Sequence, residues 1–396
     1  MNSIKAGVGR SNNPNPLKAG QEACQKAIDE MGGKPDLIIV FASVALDQEK
    51  MLQGVNSVSE DAVVVGCSDS GEITTEGPVK GYVAVMAMNS DQIEFTAGIG
   101  RGVAADSHKA GKQAAEETAK KAKEKMSMFV MFPDGTTGNG AAIVRGAQEA
   151  LGEHFPIMGG SAGDDFKFEK TYQYFQNEVL HDVVVGLGFS GKFSWGVGVR
   201  HGWEPIGLPM KVTKSEGTVI KELDGKPALK IYEDYFGRKA EELIEKPIAR
   251  MAYTYPLGMS VEGSPELLIR DVVIANTKGE ITCAAEIPQE SEIRLMLGDP
   301  EKAMQSAKEA AQEALSQLKG SSPKLILVFN CMARSKLLGR RAPEEIAAVQ
   351  EILGKEVPLL GFYTYGEQAP LGGNIDPDVC RSVFHNQTIV LLVLGE

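Results

Sequence analysis

An internal repeat constrains the fold of this 396-residue chain more than any other feature of its sequence. The segment AGVGRSNNPNPLKAGQEACQKA begins at Ala6, and the similar segment AGIGRGVAADSHKAGKQAAEETA begins at Ala97, 91 positions later. A constant offset of this kind indicates that one supersecondary unit is repeated and that its copies pack on one another. The chain is therefore predicted to consist of copies of a single α/β unit.

Both copies continue with the same predicted order of elements: helix, strand, helix, strand and strand. The copies cover about residues 4–100 and 97–203, and each ends in a glycine-rich strand, EFTAGIGRG or FSWGVGVRHG. A third, more diverged copy is predicted over about residues 299–396. Its strands KLILVFN, PLLGFYTYGE and TIVLLVL lack polar alternation, which is typical of strands buried on both faces.

Residues 204–298 differ from the copies, because partly alternating apolar positions are separated there by the turn pairs Asp224-Gly225 and Lys278-Gly279. This pattern predicts antiparallel strands. We therefore predict an α/β fold with an antiparallel β insertion, in which strand-helix-strand-helix-strand-strand units form layered mixed sheets. The predicted domains are residues 1–215, with two repeats, and residues 216–396, with the insertion and the third repeat.

The overall charge excludes several classes of partner. The net charge of −12, which corresponds to a pI near 5.1, would repel the phosphate backbone of a nucleic acid, so we expect no nucleic acid partner.

The apolar runs and the cysteines indicate the location of the protein. The longest apolar runs are too short to cross a bilayer, and the N-terminus lacks a signal-peptide core, so we expect no membrane insertion and a cytoplasmic location. The five cysteines are widely spaced without a CxxC pair, and we expect reduced thiols.

The second strand of each copy ends in a glycine-rich segment with a carboxylate, namely GCSDSGE (66–72), GGSAGDD (159–165) and GFYTYGE (361–367). Ligands of open α/β sheets bind where such strand ends converge. Glycines would let a ligand approach, and the hydroxyls and carboxylates would bind it. The alternative interpretation is a tight turn copied by duplication. Tyr363 and Tyr365 favour the third copy as the site of a pocket, because buried tyrosines need hydroxyl partners.

Cys331 follows the predicted strand KLILVFN and precedes four cationic residues. A nucleophilic cysteine needs a base and a lowered pKa. Arg334 and Lys336 would lower the pKa, but no histidine lies in a catalytic signature. Three interpretations remain: packing at a strand end, a contact that lines a pocket, and a nucleophile.

His201 and Trp203 lie in RHGWEP, at the predicted junction of the two domains. A histidine beside a tryptophan is compatible with a structural role. It is also the best candidate in this sequence for an axial haem ligand, because a flat cofactor fits an interdomain groove. The sequence has no CxxCH motif for covalent haem and no zinc-type cluster.

GGSAGDD, RHGWEPIG, ELDGKPAL, VFNCMARSKLLGRR and PLLGFYTYGEQAP, in this order, resemble the FIST family of sensory domains, N- and C-terminal parts together. The resemblance implies a sensor of small molecules, among them amino acids, that acts on a histidine kinase or another signalling protein. Some stand-alone members of the family resemble haem-binding nitric oxide sensors. The residues at family-motif positions are Ser161, Asp164, His201, Trp203, Cys331, Arg334, Tyr363, Tyr365, Gly366 and Glu367.

The leading hypothesis is a non-enzymatic sensor that requires no cofactor and binds a small molecule at the C-terminal strand ends. For an amino acid ligand, Arg334 would bind the carboxylate, Glu367 or Asp164 the ammonium group, and Tyr363 and Tyr365 the side chain. The alternatives are a haem-based nitric oxide sensor that uses His201 and a cysteine-dependent enzyme that uses Cys331. Because no output domain is recognised in the sequence, the signal is expected to pass to a separate partner.

Overall fold

A computed structural model describes residues 4–237, 244, 248–262, 264 and 266–396. The first segment contains β1 (Ile4–Ser11), α1 (Pro16–Met31), β2 (Leu37–Ser43), α2 (Gln48–Asn56), β3 (Val63–Asp69), β4 (Glu72–Thr74), β5 (Gly77–Val79), β6 (Val83–Ser90) and β7 (Ile93–Arg101). The second contains α3 (Ser107–Lys121), β8 (Met126–Pro133), α4 (Gly140–Leu151), β9 (Ile157–Gly160), β10 (Gln173–Phe175), β11 (Glu178–Leu180), β12 (Val183–Gly191) and β13 (Ser194–Arg200).

The insertion and the third segment follow in the same chain order. The insertion contains β14 (Trp203–Pro205), β15 (Met210–Glu216), β16 (Val219–Leu223), β17 (Lys226–Pro227), α5 (Lys230–Phe236), α6 (Ala249–Ala252), β18 (Leu257–Met259), β19 (Leu268–Arg270), β20 (Val272–Ala275), β21 (Ile281–Cys283) and β22 (Glu292–Gly298). The third segment contains α7 (Pro300–Gln317), β23 (Pro323–Cys331), α8 (Met332–Leu338), α9 (Ala342–Leu353), β24 (Leu359–Thr364), β25 (Glu367–Pro370), β26 (Ser382–His385) and β27 (Ile389–Gly395), with short 3-10 helices at Gly339–Arg341 and Leu371–Gly373.

Three six-stranded sheets share one arrangement of strands. Their orders are β1-β6-β2-β3-β10-β11, β7-β12-β8-β9-β25-β26 and β13-β27-β23-β24-β4-β5. Each sheet has one parallel pair of strands, which is β2–β3 in the first, β8–β9 in the second and β23–β24 in the third. The other pairs in these sheets are antiparallel. The predicted α/β class with mixed sheets is therefore confirmed.

Each of these sheets ends in a hairpin that comes from another segment of the chain. The hairpin β10–β11 joins the first sheet, β25–β26 joins the second, and β4–β5 joins the third. The exchange closes a ring in which each segment gives one hairpin and receives one. Sheets two and three consequently contain strands from both sides of the predicted boundary near residue 215.

The strand β13, predicted to end the second copy, pairs instead with β27 in the third sheet. There it occupies the edge position that β1 and β7 occupy in their sheets. The glycines of these strands explain the equivalence, because a Cβ added to Gly100 or Gly198 would lie 1.8 Å from the carbonyl oxygen of Ala110 or Ala310 in the covering helix. The glycines therefore permit close packing of α3 on β7 and of α7 on β13.

The inner faces of the three sheets meet in one hydrophobic core. Phe41, Phe132 and Phe329 lie near the ends of the central strands β2, β8 and β23, and Phe362 lies on β24. The ring centroids of Phe41 and Phe132 are 5.7 Å apart, those of Phe132 and Phe329 6.3 Å, and those of Phe41 and Phe362 4.3 Å. Burial of such large aromatic side chains is a major contribution to core stability. This cluster fixes the C-terminal ends of the central strands close to one another.

The helices cover the outer faces of the sheets, and the N-terminal caps of α1 and α7 are the residues that the sequence predicts. Asn15 accepts hydrogen bonds from the backbone of Leu17 and Lys18 at the start of α1, and Asp299 caps α7 in the same way. A proline at the first helical position suits both helices, because it lacks the N–H group that would be unpaired there. Within the part of the chain that the structure describes, none of the helices is both long and apolar enough to span a membrane.

The insertion forms a fourth, wholly antiparallel sheet with its own hydrophobic core, as the turn pairs predict. Its segments before β18 and around β20 lie over the strand ends of the second and third sheets.

Candidate functional site

A cavity of about 240 Å³ lies between the repeated sheets and the insertion. One wall is formed by residues that follow β8, β9, β23 and β24 at their C-terminal ends, where the sequence predicts ligand binding. The opposite wall comes from the insertion and contains Ala252, Tyr253, Ala284 and residues 271–273. A ligand in this cavity would therefore contact both parts of the molecule.

Asp134 builds the loop on the β8 side of the cavity. Its Oδ1 accepts hydrogen bonds from the backbone N–H and the hydroxyl of Thr136 at 2.8 and 2.9 Å and from the hydroxyl of Thr171 at 2.9 Å. Its Oδ2 accepts the backbone N–H of Asp182 at 2.8 Å. Because both oxygens are engaged, this carboxylate holds the loop and is not available to a ligand.

Asp271 differs from Asp134 in its hydrogen bonding, because only one of its two carboxyl oxygens accepts a hydrogen bond from a described residue. Its Oδ1 accepts a hydrogen bond from the side chain of Gln387. No described residue donates a hydrogen bond to its Oδ2. Burial raises the pKa of Asp271 to about 7, although the Gln387 hydrogen bond and the charge of Arg270 oppose the change. The carboxyl group of Asp271 therefore changes charge near neutral pH at the wall of the cavity.

Five aromatic side chains line the cavity: Phe166, Phe168, Tyr253, Tyr365 and Phe384. The rings of Phe168 and Tyr365 stack with centroids 4.8 Å apart, and Phe166 meets Phe168 edge to face at 5.5 Å. Phe384 packs against the backbone of Gly366, where an added Cβ would lie 2.2 Å from the ring. Gly366 thus has a steric role in shaping this wall.

Asp164 positions two of these aromatic residues. Its carboxylate accepts hydrogen bonds from the backbone of Phe168, Glu169 and Lys170 at 2.9, 2.7 and 3.0 Å and from the hydroxyl of Tyr365. Although burial raises the pKa of Asp164, the bonds from Tyr365 and the three N–H groups outweigh it and lower the pKa. Asp164 is therefore a positioning residue for the loop that carries Phe166 and Phe168.

Three other predicted residues, Ser161, Tyr365 and Cys331, line the cavity directly. The hydroxyl oxygen of Ser161 accepts a hydrogen bond from Gln368 at 3.0 Å. Cys331 ends β23 and is 2% exposed. Burial, with the nearby charges of Glu367 and Asp271, holds the pKa of its thiol well above its usual range. This environment suits packing and lining of the pocket and disfavours a nucleophile.

Arg334, predicted to bind a ligand carboxylate, does not line the cavity. It lies in α8 with a fully buried side chain, and its guanidinium group pairs with Glu345 at 2.5 Å. The same group donates to the carbonyl oxygen of Ala303 at 2.7 Å and to the Ser306 hydroxyl at 3.3 Å. These contacts join α8 to α7 and α9, so Arg334 has a structural partner for its charge.

Glu367 and Tyr363 also lie behind the cavity wall. The carboxyl group of Glu367 accepts hydrogen bonds from the Thr364 hydroxyl and from the backbone and hydroxyl of Thr388 at 3.1 and 2.8 Å. Burial raises the pKa of Glu367 to about 8. Tyr363 is 3% exposed in the core between β24 and its covering helices.

His201 and Trp203 border a separate, more polar groove whose charged members are Arg200, Glu204, Glu266, Lys302 and Glu309. The Nδ1 atom of His201 accepts the backbone N–H of Trp203 at 2.9 Å, which places the ring proton on Nε2. Coordination of iron through Nε2 requires the opposite tautomer, in which Nε2 is unprotonated and Nδ1 donates, and it would break this hydrogen bond. Burial and Arg334 lower the pKa of His201 to about 4. The ring is therefore neutral near pH 7, and in the arrangement shown its Nε2 carries the proton, so this nitrogen does not present a lone pair to iron.

Trp203 connects this region to the cavity. Its indole N–H donates to the carbonyl oxygen of Tyr253 at 3.1 Å, and Tyr253 lines the cavity. The guanidinium carbon of Arg334 lies 5.6 Å from the centre of the Trp203 ring. A movement of Tyr253 is therefore linked directly to β14, at the start of the insertion.

The sequence reasoning missed Asp271, Tyr253, Phe166, Phe168 and Phe384. Asp271 had a signal, because the pair Arg270-Asp271 interrupts the apolar run LLIRDVVIA. The aromatic residues had none, since their meeting depends on contacts between distant segments. Across the described ranges, no group of three or more histidine, cysteine, aspartate and glutamate residues is arranged to hold a metal ion.

Two family models match consecutive parts of this chain. The FIST N domain model matches residues 36–226, and the FIST C domain model matches residues 228–370. An uncharacterized protein of Methanocaldococcus jannaschii is 27% identical over 347 residues, which cover 82% of this chain and 65% of that protein. The chain thus spans less than two thirds of the length of that relative.

An uncharacterized protein of Mycobacterium tuberculosis is 24% identical over 388 residues, which cover 94% of this chain and 96% of that protein. Among solved structures, a cyanuric acid hydrolase from A. caulinodans aligns over 100% of both chains with a TM-score of 0.38 and 10% identity.

Proposed function

This chain belongs to the FIST family, whose domains are associated with sensory signal transduction, and we propose that it binds a small molecule in the strand-end cavity and passes the signal to a separate protein. One observation carries the proposal: the cavity is walled on one side by the repeated sheets and on the other by the insertion. A ligand that contacts two elements stabilises one arrangement of them over others. Binding of a ligand in the cavity would thereby change the position of the insertion relative to the repeated sheets.

The link from Tyr253 to Trp203 supports this route. Tyr253 contacts the cavity, and its carbonyl oxygen accepts the indole N–H of Trp203. Trp203 begins β14, which pairs with β22 in the sheet of the insertion. A ligand that displaces Tyr253 would move the edge of that sheet, which a partner protein can recognise.

The proposed ligand contacts differ from the sequence prediction. For an amino acid, the predicted partners were Arg334 for the carboxylate, Glu367 or Asp164 for the ammonium group, and Tyr363 and Tyr365 for the side chain. Of these five residues, only Tyr365 lines the cavity. Asp271 replaces Glu367 as the proposed partner of a ligand ammonium group. Ser161, Tyr365 and Cys331 keep their proposed roles at the wall.

A thermal-shift screen of small metabolites tests the proposal. At a ligand concentration of about 100 times Kd, binding adds about 2.7 kcal/mol to the free energy of unfolding, which a shift in Tm detects. A cavity-filling variant, Ala284→Phe, should abolish the shift. The matched control Ile274→Phe adds the same ring to an outward position that is 58% exposed and should retain it. If no compound gives a shift that Ala284→Phe abolishes, the proposal fails.

The identity of the output is proposed from family membership alone. A separate signalling protein, such as a histidine kinase, is the expected partner. Autophosphorylation of a candidate kinase should change when this chain is added and change again when a hit from the screen fills the cavity. A kinase that responds equally to wild type and Ala284→Phe in the presence of the hit would contradict the proposed coupling.

The haem alternative finds no support in the tautomer of His201. We expect protein purified with haem supplied to show no Soret band above that of the matched His201→Ala variant. A band that is present in the wild type and lost in the variant would restore haem as the ligand.

A further inference from the structure

The cavity has an unbalanced set of charges. Among the described residues that line it, none is a lysine, arginine or histidine. Its two carboxyl groups are Asp134, whose oxygens are both engaged, and Asp271, whose Oδ2 accepts no bond from a described residue. The lining therefore offers one free anionic group and no side-chain cation.

Backbone N–H groups, the other usual partners of an anion, are largely engaged at this site. The helix α4 starts at the cavity, but Asn139 already accepts the N–H groups of Ala141 and Ala142 at 3.0 and 3.2 Å. In the preceding loop, the N–H of Thr136 donates to Asp134, and that of Asn139 donates to the hydroxyl of Ser107 at 2.9 Å. A ligand carboxylate would meet few free donors on this side of the cavity. On the other side, Met332 and Ala333 line the cavity at the start of the seven-residue helix α8, which has no side-chain cap but also brings no cationic side chain to the lining.

The aromatic side chains that line the cavity also favour a cationic ligand. The faces of aromatic rings attract cations, and groups of such rings bind ammonium ligands in proteins. In the same cluster, the ammonium group of Lys336 lies 4.5 Å from the centre of the Phe166 ring. Lys336 is exposed and does not line the cavity. Phe166, one of the rings that line the cavity, therefore already pairs with a cation.

We propose that the ligand of this cavity is a small organic amine without a carboxylate, whose ammonium group pairs with Asp271 and whose apolar body packs against the aromatic wall. The inference rests on the proposed function, because it names the ligand class of the same cavity. It differs from the amino acid prediction in one chemical group. A zwitterion would bring a carboxylate into a cavity with no cation to receive it, and burying an unpaired charge is costly.

Matched ligands distinguish the effect of a ligand ammonium group on binding from the effect of a ligand carboxylate. Isothermal titration at pH 8 compares isoamylamine, the neutral alcohol 3-methylbutan-1-ol and leucine, and then phenethylamine, 2-phenylethanol and phenylalanine. Each set keeps the apolar body and changes the polar groups. In at least one set, the amine should bind at least about tenfold more tightly than the alcohol and the amino acid, as expected for a charge-assisted contact.

Substitutions in the cavity test where the ammonium group of the ligand binds. Asp271→Asn keeps the size of the side chain and removes its charge, and it should weaken binding of the amine at least about tenfold while leaving the alcohol nearly unchanged. The control Asp69→Asn removes another buried carboxyl group that does not line the cavity and should leave the affinity unchanged. Phe168→Leu, at a position 53% exposed, should keep the fold and weaken the amine about two- to fivefold.

The outcomes distinguish this inference from the proposed function. If an amino acid binds more tightly than its amine, or if Asp271→Asn leaves amine binding unchanged, the amine inference is wrong and the sensor proposal stands. If no amine binds while another compound from the thermal-shift screen fills the cavity, the inference again fails alone. If no compound in the screen binds the cavity, both fail.

Discussion

The strand end of the first segment, GCSDSGE, and that of the third, GFYTYGE, look alike in sequence, and their glutamates have the same structural role. Glu72 accepts the backbone N–H of Tyr82 at 2.9 Å, and Glu367 accepts that of Thr388 at 3.1 Å. Tyr82 lies directly before β6, and Thr388 lies directly before β27. In the second segment Asp134 accepts the N–H of Asp182, just before β12. In each segment a buried carboxyl group therefore fixes the start of a strand, although in the second segment it comes from Asp134 and not from GGSAGDD.

The difference between the two strand ends lies in what covers them. The insertion lies over the third segment, so that Thr364, Tyr365 and Cys331 border the cavity with Asp271. None of the residues of GCSDSGE borders it. The repeated motif thus provides a scaffold, and the candidate binding site arises where an unrelated segment is placed above one copy of it.

The strongest test of this comparison is Arg334→Met, because only the third segment carries the buried pair of Arg334 and Glu345. Removing one partner of a buried ion pair leaves an uncompensated charge and typically costs about 3–5 kcal/mol. We expect a loss of this size in the free energy of unfolding, measured with urea at pH 7. The exposed Arg341, which pairs with Glu301 and Glu344, provides the control Arg341→Met and should show a small fraction of the effect. Weakened ligand binding without a loss of stability would instead return Arg334 to a binding role.

The next largest effect concerns the equivalence of Glu72 and Glu367. Burial raises the pKa of Glu367 from 4.5 to about 8 and raises that of Glu72 well above 4.5. Between pH 4.5 and 8 the folded protein then binds more protons than the unfolded chain, so stability falls as the pH rises. Glu367→Gln should flatten this fall by on the order of a few kcal/mol across the window, and Glu72→Gln should flatten it in the same direction.

The measurement is the free energy of unfolding at several pH values from 4.5 to 8 for the wild type and both variants. A flattened profile in one variant and an unchanged profile in the other would show that the two glutamates are not equivalent. The exposed substitution Glu76→Gln provides a control that should follow the wild-type profile.

The smallest effect concerns Asp271, which has no counterpart at the first strand end. Because its pKa is about 7, the ionised form increases from pH 6 to pH 8. An alkylamine stays protonated over this range, so its affinity should rise about tenfold between those values. The charged or titratable groups that interact with Asp271 are Arg270, Glu367, Cys331, Cys283 and Tyr232. Titration calorimetry should show a flat profile for Asp271→Asn, and a rise that persists in the variant would assign the proton to another group.

Local features of the structure could be predicted from the sequence. Asn15-Pro16 and Asp299-Pro300 marked the starts of α1 and α7 because capping depends on neighbouring residues. The buried central strands were visible as short apolar runs. The helix α8 was missed, because MARSKLL follows the strand without a capping residue, and its first residues carry no side-chain cap in the structure.

The partners of distant segments could not be predicted. Nothing in FSWGVGVRHG indicates that β13 pairs with β27 rather than with its neighbours in sequence. Arg334 stands among cationic residues of the kind usually found on a surface, and its burial depends on Glu345 in a later helix. The candidate site shares this difficulty, since Asp271 and the aromatic residues come from five separate stretches of the chain.

The exchange of hairpins and the pairing of β13 with β27 also affect how the protein is made. The strand β27 lies between β13 and β23 in its sheet, yet it is synthesised about 195 residues after β13. At ordinary rates of translation, β13 waits about 10 to 40 s for its partner. During that interval a newly made chain presents an unpaired strand edge, which makes it a substrate for chaperones and a point where neighbouring chains on one polysome can become entangled.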